Sequence, residues 1–288
     1  MIFKNVVIME LKKALHNKFF IIALTIGFLL NLMSALYSIE TYNETKSMID
    51  AQLSQMIVKV NPMIQSEGLY NNWIGGEVFS FGFGLFFTLF PIFALMGYGW
   101  SHSLEKARGY TKMTAISCGR KQYFLAKYIA TFLSGGLIMF IPLVFNFILT
   151  ACFIPAVTPS ILYSTYGIEF GSMWSELFYT NPLIFVLLYL VLDFIFAGLF
   201  ATFGLACSFF TKYSFVSVIV PYLIILLIHY SRTFLHGKLF LELSPLNFLH
   251  ALCVENQVNG LAVLIEGLLF FVIPFIIIMK EGAKLEIY

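Results

Sequence analysis

The chain has 288 residues, 60% hydrophobic and only 11% charged, with a net charge of +2 and a mean hydropathy of +0.88. A soluble domain carries about a quarter charged residues, and here the apolar residues gather into runs of about twenty, the length a helix needs to cross a bilayer. Composition therefore argues against a soluble enzyme. The continuous apolar blocks argue equally against an outer-membrane barrel, whose strands alternate in segments of about ten residues. The fold class expected is an all-α polytopic membrane protein with six transmembrane helices.

Residues 1–18 mix Phe3, Val6, Val7, Glu10, Leu11, Ala14 and Leu15, at three-to-four spacing, with Lys4, Lys12, Lys13 and Lys18. This pattern predicts an amphipathic helix lying on the membrane surface, its lysines toward anionic headgroups. Residues 19–37 form the first span. The run begins late and no small-x-small site follows Leu36, so it is expected to stay in the protein rather than be cleaved as a signal. Residues 38–78 are a polar excursion rich in acids, with a helix expected near Lys46–Val60 that Asn61-Pro62 breaks, and a return to the membrane at Tyr70–Gly76 marked by an interfacial Trp73. Residues 79–100 are the second span, with Pro91 inside it, and 128–154 the third, with Gly135-Gly136 and Pro142. Residues 155–182 are a second outer loop, 183–210 the fourth span and 214–230 the fifth. Residues 231–259 mix Leu and Phe with Ser244-Pro245 and two His, which reads as broken half-helices dipping into the outer leaflet. Residues 260–279 are the sixth span and 280–288 a short tail.

Between the second and third spans lies a polar, basic island, residues 101–127, with Lys106, Arg108, Lys112, Arg120, Lys121 and Lys127 against the single acid Glu105. Basic residues hold short loops on the cytoplasmic side. With this island and both termini inside, 13 of the 17 Lys and Arg fall on that side. Two helical pieces are expected, Leu104–Thr114 and Ser117–Tyr128, with the bend at Thr114–Gly119. Their charges leave a polar face while Tyr110, Met113, Ile116 and Tyr123 supply apolar knobs, a combination suited to the grip of a soluble partner.

No chemistry is written elsewhere. There is no phosphate-binding loop, since Gly119-Arg120-Lys121 lacks the glycine spacing, and there is no H-E-x-x-H or G-x-S-x-G. No catalytic, cofactor-binding or metal residues are expected. Cys118, Cys152, Cys207 and Cys253 are spread so that neither a disulfide nor a zinc site is expected, and the basic residues sit where orientation already explains them, without nucleic acid. Two acids remain inside spans, Asp193 in the fourth and Glu266 in the sixth. A carboxylate in hydrocarbon is costly and must face the bundle or a wet cavity, so each is a candidate substrate-path or gating residue, with a buried structural hydrogen bond as the other reading.

The stretch Glu105-Lys106-Ala107-Arg108-Gly109-Tyr110, then Ser117-Cys118-Gly119-Arg120-Lys121, Tyr123 and Ala126-Lys127, resembles the loop between spans two and three of ABC-2 type permeases, the membrane subunits of ATP-binding cassette exporters. The amphipathic N-terminus, six spans and broken helices around Ser244-Pro245-Leu246-Asn247 add to the likeness, which extends over nearly the whole chain. The resemblance implies an ABC-2, type V exporter-like architecture in a bacterial cytoplasmic membrane. It also implies two cytoplasmic ATP-binding cassette ATPases that hold the ATP and Mg, and a second permease subunit, identical or related. ATPase coupling would fall on Glu105, Arg108, Gly109, Lys112, Arg120 and Lys121, with pressure also reaching Glu10–Lys18. Spans one, two and five would line the subunit interface and the path. The cargo would be an amphiphile such as a hydrophobic or antimicrobial peptide, a drug or a lipid. An ion-coupled secondary transporter and a non-transport sensor or scaffold binding a peptide at its outer face are the alternatives.

Overall fold

The structure, a computed structural model, describes residues 2–55, 68–159, 168, 171–235, 242–252 and 257–284. The Asn61-Pro62 break, Glu169, His236 and Cys253 lie outside them. Apart from an isolated bridge at Gln257, the regular structure of the described residues is helical. In chain order the elements are α1 (Ile2–Leu15), α2 (Lys18–Ser54), α3 (Leu69–Asn72), α4 (Phe81–Tyr98), α5 (Ser101–Ala107) and α6 (Tyr110–Cys118). They continue with α7 (Arg120–Ala151), α8 (Ser175–Thr180), α9 (Pro182–Cys207), α10 (Val216–Leu235), α11 (Pro245–Phe248) and α12 (Gly260–Ala283). Five are long and apolar enough to cross a membrane: α2, α4 with its continuation α5, α7, α9 and α12. The apolar part of α10, Val216–Ser231, is shorter. This is an all-α fold with the long apolar helices of a multi-pass membrane protein.

The first helix differs from expectation. The apolar run ends near Leu36, yet α2 continues unbroken to Ser54. At 1.5 Å per residue it is about 55 Å long, far more than the hydrocarbon core of about 30 Å. No Gly or Pro falls between Gly27 and Pro62, so nothing local stops the helix when its hydrophobicity stops. Asn17 starts it by accepting from the Phe20 N–H at 2.8 Å. In the return segment Trp73 is 1% exposed, packed edge-on against Phe147 of α7 with ring centroids 5.9 Å apart. The loop that carries it is held by Asn146 of α7, which accepts from the Ile74 N–H at 2.9 Å and donates to the Asn31 carbonyl of α2 at 2.8 Å. Glu77 is likewise enclosed, accepting from Ser34 of α2 and from the backbone of Phe79 and Ser80 at the head of α4.

Helices α7 and α9 form the centre, with α2, α4 and α12 packed around them and α10 against α9 and α4. Two reciprocal contacts set the closeness of the central pair. A Cβ added to Gly136 of α7 would lie 2.7 Å from the ring of Phe194 and 2.8 Å from its carbonyl oxygen, and one added to Gly198 of α9 would meet Phe132 at the same two distances. Small residues that let backbones approach are the usual basis of helix association in lipid. Gly136→Ala is therefore expected to cost about 1–3 kcal/mol, the usual cost of overpacking. Thermal unfolding in detergent checks this, and an unchanged melting temperature would remove the close-approach account. Outside the bundle, Leu29, Leu36, Leu187, Leu227, Leu264 and Leu268 are exposed on α2, α9, α10 and α12, an apolar exterior that suits lipid and not water.

Candidate functional site

The basic island folds at one end of the bundle, and two glycines decide how. Arg108 and Gly109 end α5, with Gly109 at φ 73°, and Gly119 separates α6 from α7 at φ 87°. Both lie in the region that L side chains rarely adopt. The island is thus a short helix set between two glycine joints. The bend expected across Thr114–Gly119 is instead split between Gly109 and Gly119, and the residues expected in it complete α6. The last residues of the island, from Arg120 to Lys127, are already the first turns of α7.

Four charged side chains from separate parts of the chain meet beneath this helix. The Lys127 ammonium of α7, fully buried, lies 2.5 Å from Glu105 of α5 and 3.5 Å from Glu10 of α1. Lys13 of α1 lies 2.8 Å from Glu10 and 3.5 Å from Glu105. Glu10 is fully buried too, while Glu105 keeps a 15% exposed side chain. Two carboxylates and two ammoniums balance, which is what permits charges out of water. Tyr123 donates to Glu105 at 2.6 Å and Tyr98 to Glu10 at 2.9 Å, so the remaining acceptor sites are also filled. The Lys127 ammonium stands 4.8 Å from the centre of the Tyr98 ring, and that of Lys13 3.8 Å from the Tyr110 ring. Burial alone would lower the Lys13 ammonium. Its bond to Glu10, helped by Tyr110 and Glu105, outweighs this and raises it above the ordinary lysine value, so it stays charged at neutral pH. Beside the cluster, buried His102 stacks on Phe209 with ring centroids 4.1 Å apart, pressing α5 against the end of α9.

The island residues named from sequence do not converge on one spot. Glu105 enters the charged cluster. Arg108 and Gly109 are exposed at the joint, and Lys121 is exposed on the first turn of α7. Arg120 donates to the Ala283 carbonyl at 3.0 Å, a cation on the last turn of α12. The backbone of Lys112 belongs to α6, and its side chain is outside the described residues. Of the expected apolar knobs, Met113 and Ile116 are 73% and 63% exposed, whereas Tyr123 is buried in the cluster and Tyr110 lies under Lys13. The sequence places Glu10 and Lys13 only within the stretch Glu10–Lys18 expected to take pressure, and Lys127 only within the resembling loop, with nothing that joins the three. One signal pointed at them: Glu10 sits alone among the apolar residues of an amphipathic stripe, where an acid needs a cation.

The two acids inside spans are well apart from this end. Asp193 of α9 is 1% exposed, and neither carboxylate oxygen has a hydrogen-bond partner among the described residues. Glu266 of α12 lines a groove shared with α9 and α10. Among the described residues no three His, Cys, Asp or Glu side chains gather as a metal site requires. The basic end thus presents α6 between two glycine joints, exposed at Met113 and Ile116, with a charged cluster behind it joining α1, α5 and α7. No family model, curated protein or solved structure matches the chain.

Proposed function

We propose that this chain is the membrane-spanning permease subunit of an ATP-driven exporter of the ABC-2 type. One observation carries the reading: α6 presents exposed Met113 and Ile116 beside exposed basic residues, directly above a clasp that ties α1 and α5 to span helix α7. A soluble ATPase gripping α6 pushes on a hinged lever. Because Lys127 binds Glu105 and Glu10 together, the push passes to α7 and α1 as one unit instead of being lost in a flexible loop. The permease itself holds no nucleotide. ATP and Mg belong to two cytoplasmic ATPase subunits, whose closure supplies the stroke. A second permease subunit completes the path, α10 makes the sixth crossing and both termini face the cytoplasm of a bacterial cell. The cargo is an amphiphile, a hydrophobic peptide, drug or lipid, matched to the aromatic bundle.

The test is to draw the tagged chain from its native membranes and assay the complex for bound ATPase and for nucleotide hydrolysis stimulated by amphiphiles. Co-purification of an ATP-hydrolysing subunit, with transport in vesicles that needs ATP, is the expected result. Cargo movement driven by a proton gradient without ATP would replace this reading with ion-coupled secondary transport, for which enclosed Asp193 is the natural coupling group.

A further inference from the structure

A groove of about 540 Å³ runs between α10 and α12 against α9, with Phe203, Ile224, Ile228, Ala262 and Phe270 among its walls. Its size falls in the range of about 300–1,000 Å³ that holds drug-sized molecules. One wall residue is an acid, Glu266. The Glu266 carboxylate stands among these apolar side chains, and no hydrogen bond or ion pair joins it to another described residue. Glu242 lies near enough to act on it electrostatically, and no cation among the described residues pairs with Glu266. An acid inside a span that lacks a partner marks a ligand or ion pathway more often than a structural bond. The structural role expected of a buried acid is also unfilled here, in contrast to Glu77, whose carboxylate is fully engaged by Ser34, Phe79 and Ser80.

We infer that this groove is a binding site for a hydrophobic cation, with the apolar body of the ligand packed against Phe203, Ile228 and Phe270 and its positive centre on Glu266. Charge complementarity selects the sign: the apolar walls accept any greasy molecule, and the carboxylate favours the one that carries a cation. In low-dielectric surroundings that preference is large, since a single unlike charge close to the carboxylate offsets its desolvation. The groove lies on a different part of the molecule from the clasp of Glu10, Lys13, Glu105 and Lys127. Its occupancy needs neither ATP nor a partner ATPase, so it stands or falls separately from the exporter reading.

The probe is tetraphenylphosphonium, with tetraphenylborate as the anion of nearly the same shape. Equilibrium binding of each to the detergent-purified full chain is measured beside empty micelles, with elution profile and melting temperature as checks on folding. Saturable binding of the cation over the micelle background is expected, at least tenfold tighter than the anion. Glu266→Gln, which keeps the shape and removes the charge, is expected to weaken cation binding at least tenfold, leaving the anion's affinity unchanged or tighter. Ala262→Trp, which fills the groove and leaves the carboxylate, is expected to abolish both. The site is overturned if the cation only partitions into micelles or if the two ions bind alike. Equally, cation binding by a folded Glu266→Gln chain as tight as in the parent would overturn it, as would a purified chain whose groove retains phospholipid that the cation does not displace.

Discussion

Lys127→Met is expected to destabilise the protein by about 3–5 kcal/mol, the cost of stranding buried charge when one member of an enclosed ion pair is removed. The methionine fills most of the volume, so the loss comes from electrostatics and not from a cavity. With the ammonium gone, Glu10 and Glu105 share Lys13 alone, and the single hydroxyl protons of Tyr98 and Tyr123 cannot replace a positive charge. The diagnostic comparison is the double variant Lys127→Met with Glu105→Gln. It restores balance, because Glu10 keeps Lys13 at 2.8 Å and no acid is left over. The double variant is therefore expected to melt above Lys127→Met alone, a coupling that a cycle of the four proteins measures directly. Two single effects that simply add, or a Lys127→Met protein as stable as the parent, would show that these charges are not bound to one another as the geometry requires.

How much of this was legible beforehand divides along a physical line. Long apolar helices depend on local hydropathy, which the chain states openly, so five of them lie on the apolar runs while the apolar part of α10 is shorter. Helix ends depend on whether anything breaks the backbone. That is why α2 runs past its apolar stretch through Glu40, Glu44 and Asp50 into the helix expected from Lys46: no Gly or Pro falls in the run, and hydrophobicity marks the end of an apolar face, not of a helix. The two joints at Gly109 and Gly119 were visible as glycines, yet their roles as the limits of α6 follow from positive φ, which composition does not display. The clasp was the least legible feature. Glu105 stands out in the sequence as the lone acid of the basic island, expected to anchor the loop by pairing with a basic residue, but its partners are not written there, and only the folding of α1 against α7 brings Glu10 and Lys127, more than a hundred positions apart, within 3.5 Å. Trp73 shows the same limit, since its packing against Phe147 is a tertiary contact that the residues around it in sequence do not display.

The second large effect is expected at α6. Met113→Glu combined with Ile116→Glu should leave melting temperature and expression unchanged, because both side chains are mostly exposed and touch little of this chain. On the exporter proposal, coupling to the ATPase should collapse. If each apolar side chain is an anchor worth about 1.5–2 kcal/mol at a docked interface, losing both weakens the complex by roughly 100-fold or more, each 1.4 kcal/mol being tenfold. New carboxylates held against a partner's surface add a desolvation cost on top. Affinity for the co-purified ATPase and ATP-dependent cargo movement are the two measurements. Lys121→Ala, an exposed change on the same end, serves as the milder comparison and is expected to alter salt dependence more than affinity. A double variant that keeps full affinity and full transport would leave the exposed apolar face of α6 without a partner and remove the lever from the mechanism. Labelling of a cysteine placed at Met113 by an impermeant reagent from outside intact cells would remove it as decisively, since a cytoplasmic motor cannot grip a helix on the far side of the membrane.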